Sequence, residues 1–198
     1  MRTTAILLLL SSAAVLLTLL AACDPDSEVP HVCDRDGESH REALVFAANW
    51  TPSEHDPLAD HRPDPTICPA SAWGEEFGSL EVRTGECNYL SVEQPLASPI
   101  AVGDVLRVQV WWQSLIAIEP ATAHLALLID GELVWETEVE IPGASDAQSI
   151  LVVSPIAAEA DAVVTFHLHN HGANTWTLAE FARVGNTSTS ERCSNSEP

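Results

Sequence analysis

The sequence predicts an all-β protein built as a single antiparallel β-sandwich. Between Asp104 and Val184 apolar residues recur with a period of two, the repeat of a strand that buries one face. The alternation is one-sided, as in sheets that pack one face on a core and leave the other in water. Asp130-Gly131 sits between two such runs, and both residues suit the left-handed backbone of a two-residue hairpin.

The elements follow in chain order. Leu44 to Trp50, Leu80 to Arg83 and Asn88 to Gln94 are short runs that read as strands. Between the first two, Thr51 to Pro69 carries Pro52, Pro57, Pro63, Pro65 and Pro69. Proline lacks the amide that helices and central strands need, so this stretch reads as a long loop. In Asp104 to Gln113, Leu106, Val108, Val110 and Trp112 share one face, and Arg107, Gln109, Trp111 and Gln113 share the other. In Thr122 to Ile129, Leu125, Leu127 and Ile129 alternate with His124, Ala126 and Leu128. The return strand places Leu133, Trp135, Val139 and Ile141 in phase, against Glu132, Glu136, Glu138 and Glu140. Gln148 to Ser154 is a further strand. In Val163 to Asn170, Val164, Phe166 and Leu168 oppose Thr165, His167 and His169. The turn His171-Gly172-Ala173-Asn174 leads into a last strand, Trp176 to Val184. About eight or nine strands of this kind make two packed sheets rather than one.

Residues 1–22 have the layout of a secretory signal. Met1-Arg2 is a short positive start, and Ala5 to Leu20 is apolar apart from Ser11, Ser12 and Thr18, a run short for a membrane span. Its end, Leu20-Ala21-Ala22-Cys23, resembles the lipobox of bacterial lipoproteins. The resemblance implies cleavage before Cys23 and acylation of that cysteine with palmitate-type chains. It also implies a place in the bacterial cell envelope, with a lipid anchor in a membrane. Two acyl chains hold stably where one does not. Residues 23–42 then read as an acidic tether, 43–184 as the sandwich and 185–198 as a polar tail.

Four cysteines follow Cys23, namely Cys33, Cys68, Cys87 and Cys193, and an even count in an exported chain suggests disulfides. Three connectivities are open. The favoured one joins Cys68 to Cys87, closing a loop near the start of the domain, and Cys33 to Cys193, tying its ends. Each closure contributes about 3 to 5 kcal/mol in the chain-entropy model. The chain carries 29 acidic against 8 basic residues, for a net charge of −21, and every basic residue is an arginine. That balance excludes nucleic acid and anionic headgroups as partners, since both require positive patches, and it is compatible with cations.

Histidines are the main chemical clue. His167 and His169 stand two apart on one strand face, His171 lies in the following turn, and His124 lies on the polar face of its own strand. Imidazoles converging this way suit zinc or copper, with Glu180 or Glu132 as an oxygen ligand. The plain alternative is a polar outer sheet face whose histidines hydrogen bond. Asp34-Arg35-Asp36-Gly37-Glu38 has alternating carboxylates that suggest a structural calcium. It lacks the remaining ligands of a calcium loop, so a solvated tether is the simpler reading. Trp112, Trp135 and Trp176 are in phase with core residues, whereas Trp111 points away with Arg107 and Gln109. An outward indole beside polar groups is a stacking platform for a sugar ring. Trp50 and Trp73, flanking the proline-rich loop, are further candidates, with burial under that loop as the alternative.

The order of features resembles the jelly-roll carbohydrate-binding modules and the wider galactose-binding-domain-like β-sandwiches. The stretches that carry the likeness are Tyr89 to Gln94, Gly103-Asp104 before an apolar strand, Ile129-Asp130-Gly131 with Trp135, and Phe166 to Trp176 as a final hairpin. The likeness covers roughly Leu44 to Val184 and implies a jelly-roll-like fold. Carbohydrate binding follows from it by analogy, since one fold carries many functions.

Motifs of catalysis are absent: no nucleophile elbow, no His-Glu-x-x-His, no phosphate loop and no dinucleotide fingerprint. The expectation is therefore a membrane-anchored envelope lipoprotein with a non-catalytic ligand-binding module, for a glycan or another envelope ligand. The alternatives are a metal-binding protein or metal-dependent enzyme built on the histidines, and a structural envelope protein.

Overall fold

A computed structural model describes residues 41–185. The leader, Cys23, the tether with Asp34, Asp36 and Glu38, and Cys33 and Cys193 lie outside the described residues. The chain forms β1 (Arg41–Ala43), β2 (Thr51–Pro52), β3 (Trp73–Glu76), β4 (Ser79–Arg83), β5 (Tyr89–Pro95), β6 (Val105–Trp112), β7 (Ala121–Ile129), β8 (Glu132–Ile141), β9 (Asp146–Val153), β10 (Val163–His169) and β11 (Thr175–Val184). Short 3-10 turns at 47–49, 59–61 and 70–72 are the other regular elements among these residues.

Two antiparallel sheets result. The first runs β3-β4-β11-β6-β9, with β1 also paired to β11, and the second runs β2-β5-β10-β7-β8. Their inner faces are the sets that the alternation singled out. Leu106, Val108, Val110 and Trp112 of β6 and Trp176, Leu178 and Phe181 of β11 pack in one core with Leu125, Leu127 and Ile129 of β7 and Val164, Phe166 and Leu168 of β10. All of these side chains are buried, which is the hydrophobic burial that drives two such sheets together. Trp112 and Trp176 touch across the β6–β11 ladder at 5.0 Å between ring centroids.

The local signals hold where backbone geometry decides. Asp130 and Gly131 both have positive φ, 49° and 79°, as a type I′ hairpin requires. Cys68 and Cys87 are joined in a disulfide.

The structure corrects the sequence reading at four places. Leu44 to Trp50 is not a strand: only 41–43 pair with β11, and 47–49 form a 3-10 turn. This stretch crosses from one sheet to the other and so cannot stay in one ladder. The buried Gln94 satisfies its backbone instead, accepting from the Phe46 amide (2.9 Å) and donating to the Phe46 carbonyl (3.1 Å). Leu133 is exposed, because a bulge at Leu127/Leu128 shifts the phase of β8 and brings Val134 into the core. β10 and β11 do not form a hairpin, since they lie in opposite sheets. The turn between them presses against residues 113–120, and a Cβ on Gly172 (φ 150°) would meet the Ile116 carbonyl oxygen at 2.2 Å. Finally, the second sheet is covered on both faces. Ala126, Leu128, Thr165 and His167 all point away from the sandwich core, yet each is buried.

Candidate functional site

The cover over the second sheet is the proline-rich segment. From β2 it runs back across β5, and its anchor is Asp56. That carboxylate is 1% exposed and takes hydrogen bonds from the Tyr89 hydroxyl, from the Leu58 amide (3.0 Å) and from Arg62 Nε (3.0 Å). Burial works to raise its pKa, but these donors outweigh burial and hold Asp56 below the usual carboxylate range. Burial, followed by the hydrogen bond to the Asp56 carboxylate, pushes the Tyr89 phenol up. At the far end Asn88 accepts from the Ile67 amide (2.8 Å) and donates to the Pro65 carbonyl (3.0 Å), next to the Cys68–Cys87 bridge.

Beneath the segment three imidazoles meet. His61 from the 3-10 turn at 59–61, His124 from β7 and His167 from β10 each offer a nitrogen, and these nitrogens all lie within 4.8 Å of one another. The ring centroids are 5.2 Å (His61–His124), 5.7 Å (His61–His167) and 5.2 Å (His124–His167) apart. His167 has no exposed surface, and neither of its ring nitrogens has a partner. Burial, with His124 next, pushes its pKa down to about 3, so it is neutral at ordinary pH. His124 Nε2 lies 3.0 Å from Glu136 Oε2 and its Nδ1 is unpartnered.

Among the candidate metal residues, the structure joins His124 and His167 but not His169. His169 packs against His171 with tilted rings, 4.5 Å between centroids, and His171 lines an open cleft with Ile118, Pro120 and Thr122. Glu180 sits on the opposite sheet and Glu132 at the exposed end of β8, so neither reaches the trio. His61 was missed because it lies in a stretch without periodicity. Its only sequence signal was that a further histidine stood in the proline-rich loop.

The other candidate set lies on the outer face of the first sheet. Trp111, Gln109 and Arg107 line β6, which is flanked by β11 and β9. Trp111 is 36% exposed, and its cross-strand neighbours Thr177 and Ala147 are small. Glu180 ties this row together. It meets Arg107 Nε at 3.3 Å and Arg41 at 3.6 Å. Gln109, with its amide oriented to suit its neighbours, donates to Glu180 Oε2 (3.2 Å) and accepts from Arg107 (2.6 Å). Arg107 also donates to the Ser149 hydroxyl at 3.0 Å. A crevice of about 270 Å³ opens beside Glu180, lined by Phe46, Trp50, Leu178 and Phe181. Trp50 is a core residue and Trp73 is half-buried against the core, so Trp111 is the indole of this face.

No family model matches the sequence, and no curated protein matches it. Solved structures similar to the chain include a family 4 carbohydrate-binding module, at 12% identity and TM-score 0.36 over 58% of this chain and 76% of that one. A family 61 carbohydrate-binding module in complex with β-1,4-galactotriose is similar at 9% identity and TM-score 0.38 over 73% and 99%. An arabinose-bound α-L-arabinofuranosidase is similar at 11% identity and TM-score 0.43 over 76% of this chain but 27% of the enzyme.

Proposed function

We propose that this chain is an exported, lipid-anchored envelope protein whose sandwich binds a ligand without transforming it, and that the ligand is a glycan held on the outer face of the first sheet. The observation that carries the reading is Trp111. A tryptophan near the end of an eight-residue strand that is paired on both sides, with small residues directly across on both neighbouring strands, keeps an indole face open to solvent. Sugar rings have an apolar face that such an indole accepts. Their hydroxyls need donors and acceptors in fixed positions, and Arg107, Gln109, Glu180 and Ser149 supply both, already braced by one another. Bracing lowers the ordering cost of binding.

Calorimetric titration of the full chain in detergent with a panel of neutral oligosaccharides tests this. At least one should bind saturably, and Trp111→Ala should weaken it about tenfold or more. If Trp111→Ala binds as tightly as the unaltered chain, the face is not the site.

A further inference from the structure

We propose that His61, His124 and His167 form a site for a transition-metal cation, zinc or copper(II), which clamps the proline-rich segment onto the second sheet. The site lies on the opposite sheet from the glycan face and stands or falls independently of it.

Three features point to an ion rather than to packing. First, the three nitrogens already converge, from one loop and two neighbouring strands. Around a tetrahedral zinc such nitrogens sit about 3.3 Å apart, so from separations within 4.8 Å the trio needs to close by at most about 1.5 Å. His61 is exposed on a 3-10 turn and is the ligand free to move. Second, His167 is wholly buried with both ring nitrogens unpartnered. An unsatisfied buried polar group costs free energy that a leucine or phenylalanine there would not. Its position is explained if a lone pair is needed. Third, His124 has one ring nitrogen engaged by a carboxylate and the other to spare. Its Nε2 faces the Glu136 carboxylate and its Nδ1 is free. A carboxylate that holds one ring N–H fixes the tautomer and directs the other nitrogen's lone pair at a metal. Three imidazole ligands suit zinc or copper(II) rather than calcium or magnesium, which take oxygen ligands. Water completes the shell.

Binding therefore has a mechanical consequence. Two ligands belong to the sheet and one to its cover, so the ion bridges them. It adds a further tether to the segment, between the Asp56 anchor and the Asn88 end.

The test is calorimetric titration of the chelator-treated full chain with zinc chloride and, separately, copper(II) sulfate, alongside hydrogen exchange of residues 53–67. The expected result is saturable binding of zinc or copper(II) at one site per chain. His61→Ala, a surface change that leaves the fold intact, should weaken it roughly a hundredfold or more. Glu136→Gln should weaken it about tenfold to a hundredfold, and His171→Ala should leave it unchanged. The ion should slow exchange across 53–67 in the unaltered chain and not in His61→Ala. Equal, weak binding by the unaltered chain and His61→Ala would mean only diffuse attraction to an acidic surface, and would overturn the proposal. So would a loss in His171→Ala as large as that in His61→Ala.

Discussion

At the scale of single residues, His167 is where stability and chemistry pull apart. Its neighbours on the apolar face of β10, Phe166 and Leu168, are equally buried and contribute to the core. His167 is buried with nothing to bond. Because burial lowers its pKa to about 3 from 6.5, the folded metal-free protein binds fewer protons at this group than the unfolded chain between those values. Stability from this group is thus fully present above about pH 6.5 and is lost as pH falls toward about 3. His167→Leu removes both the titration and the unsatisfied nitrogens. In chelator-treated protein this variant should be about 1 to 2 kcal/mol more stable at pH 7, and its advantage should widen as pH drops from 6.5 to 4. Urea midpoints measured across that range check it, and a gap that narrows on acidification would refute the account.

At the scale of elements, the proline-rich segment has almost no ladder of its own, since β2 contributes two residues on the edge of the second sheet. Its order comes from discrete ties: Asp56 to Tyr89, Leu58 and Arg62, Asn88 to Pro65 and Ile67, and the Cys68–Cys87 bridge. The bridge spans a sequence separation of 19, for which loop closure predicts a contribution of about 3 kcal/mol. Cys68→Ser/Cys87→Ser should lower the urea midpoint correspondingly, and limited proteolysis should cut first between 53 and 67. Cleavage starting elsewhere would show that the segment is held without the bridge. By contrast β6, an interior strand of its sheet, is held by ladders on both sides. That rigidity is what makes Trp111 and Arg107 a preformed face rather than an adaptable one.

At the scale of the whole molecule, the net charge of −21 and the proposed anchor work in the same direction. Like charges keep such domains apart at a crowded surface and favour cationic over anionic partners. A lipidated Cys23 would hold the domain at a bilayer. Membrane fractions should contain a chain that begins at an acylated Cys23, seen by mass spectrometry, and Cys23→Ala should release the protein or stall its processing. An unmodified, soluble wild-type product would sink the anchor.

The sequence by itself determined the sandwich and its inner faces. Leu106, Val108 and Val110, or Val164, Phe166 and Leu168, could be assigned to a core because a period of two is a local property of the chain. The Asp130-Gly131 hairpin and the Cys68–Cys87 closure were legible for the same reason, since each involves backbone or residues close in sequence. Only the tertiary structure decided which outer face is covered. His124, His167 and His169 read as a solvated polar face, yet the first two lie under a segment that begins more than 60 residues before β7. That segment folds over the sheet through the side-chain ties of its Asp56 to Tyr89 and of Asn88 to its residues 65 and 67, which leave no periodic trace. Likewise the opposite placement of β10 and β11 depends on which sheet each strand can complete. His61 joins the trio, and Glu180 leaves it, because spatial neighbours across a sandwich are set by long-range packing rather than by spacing along the chain.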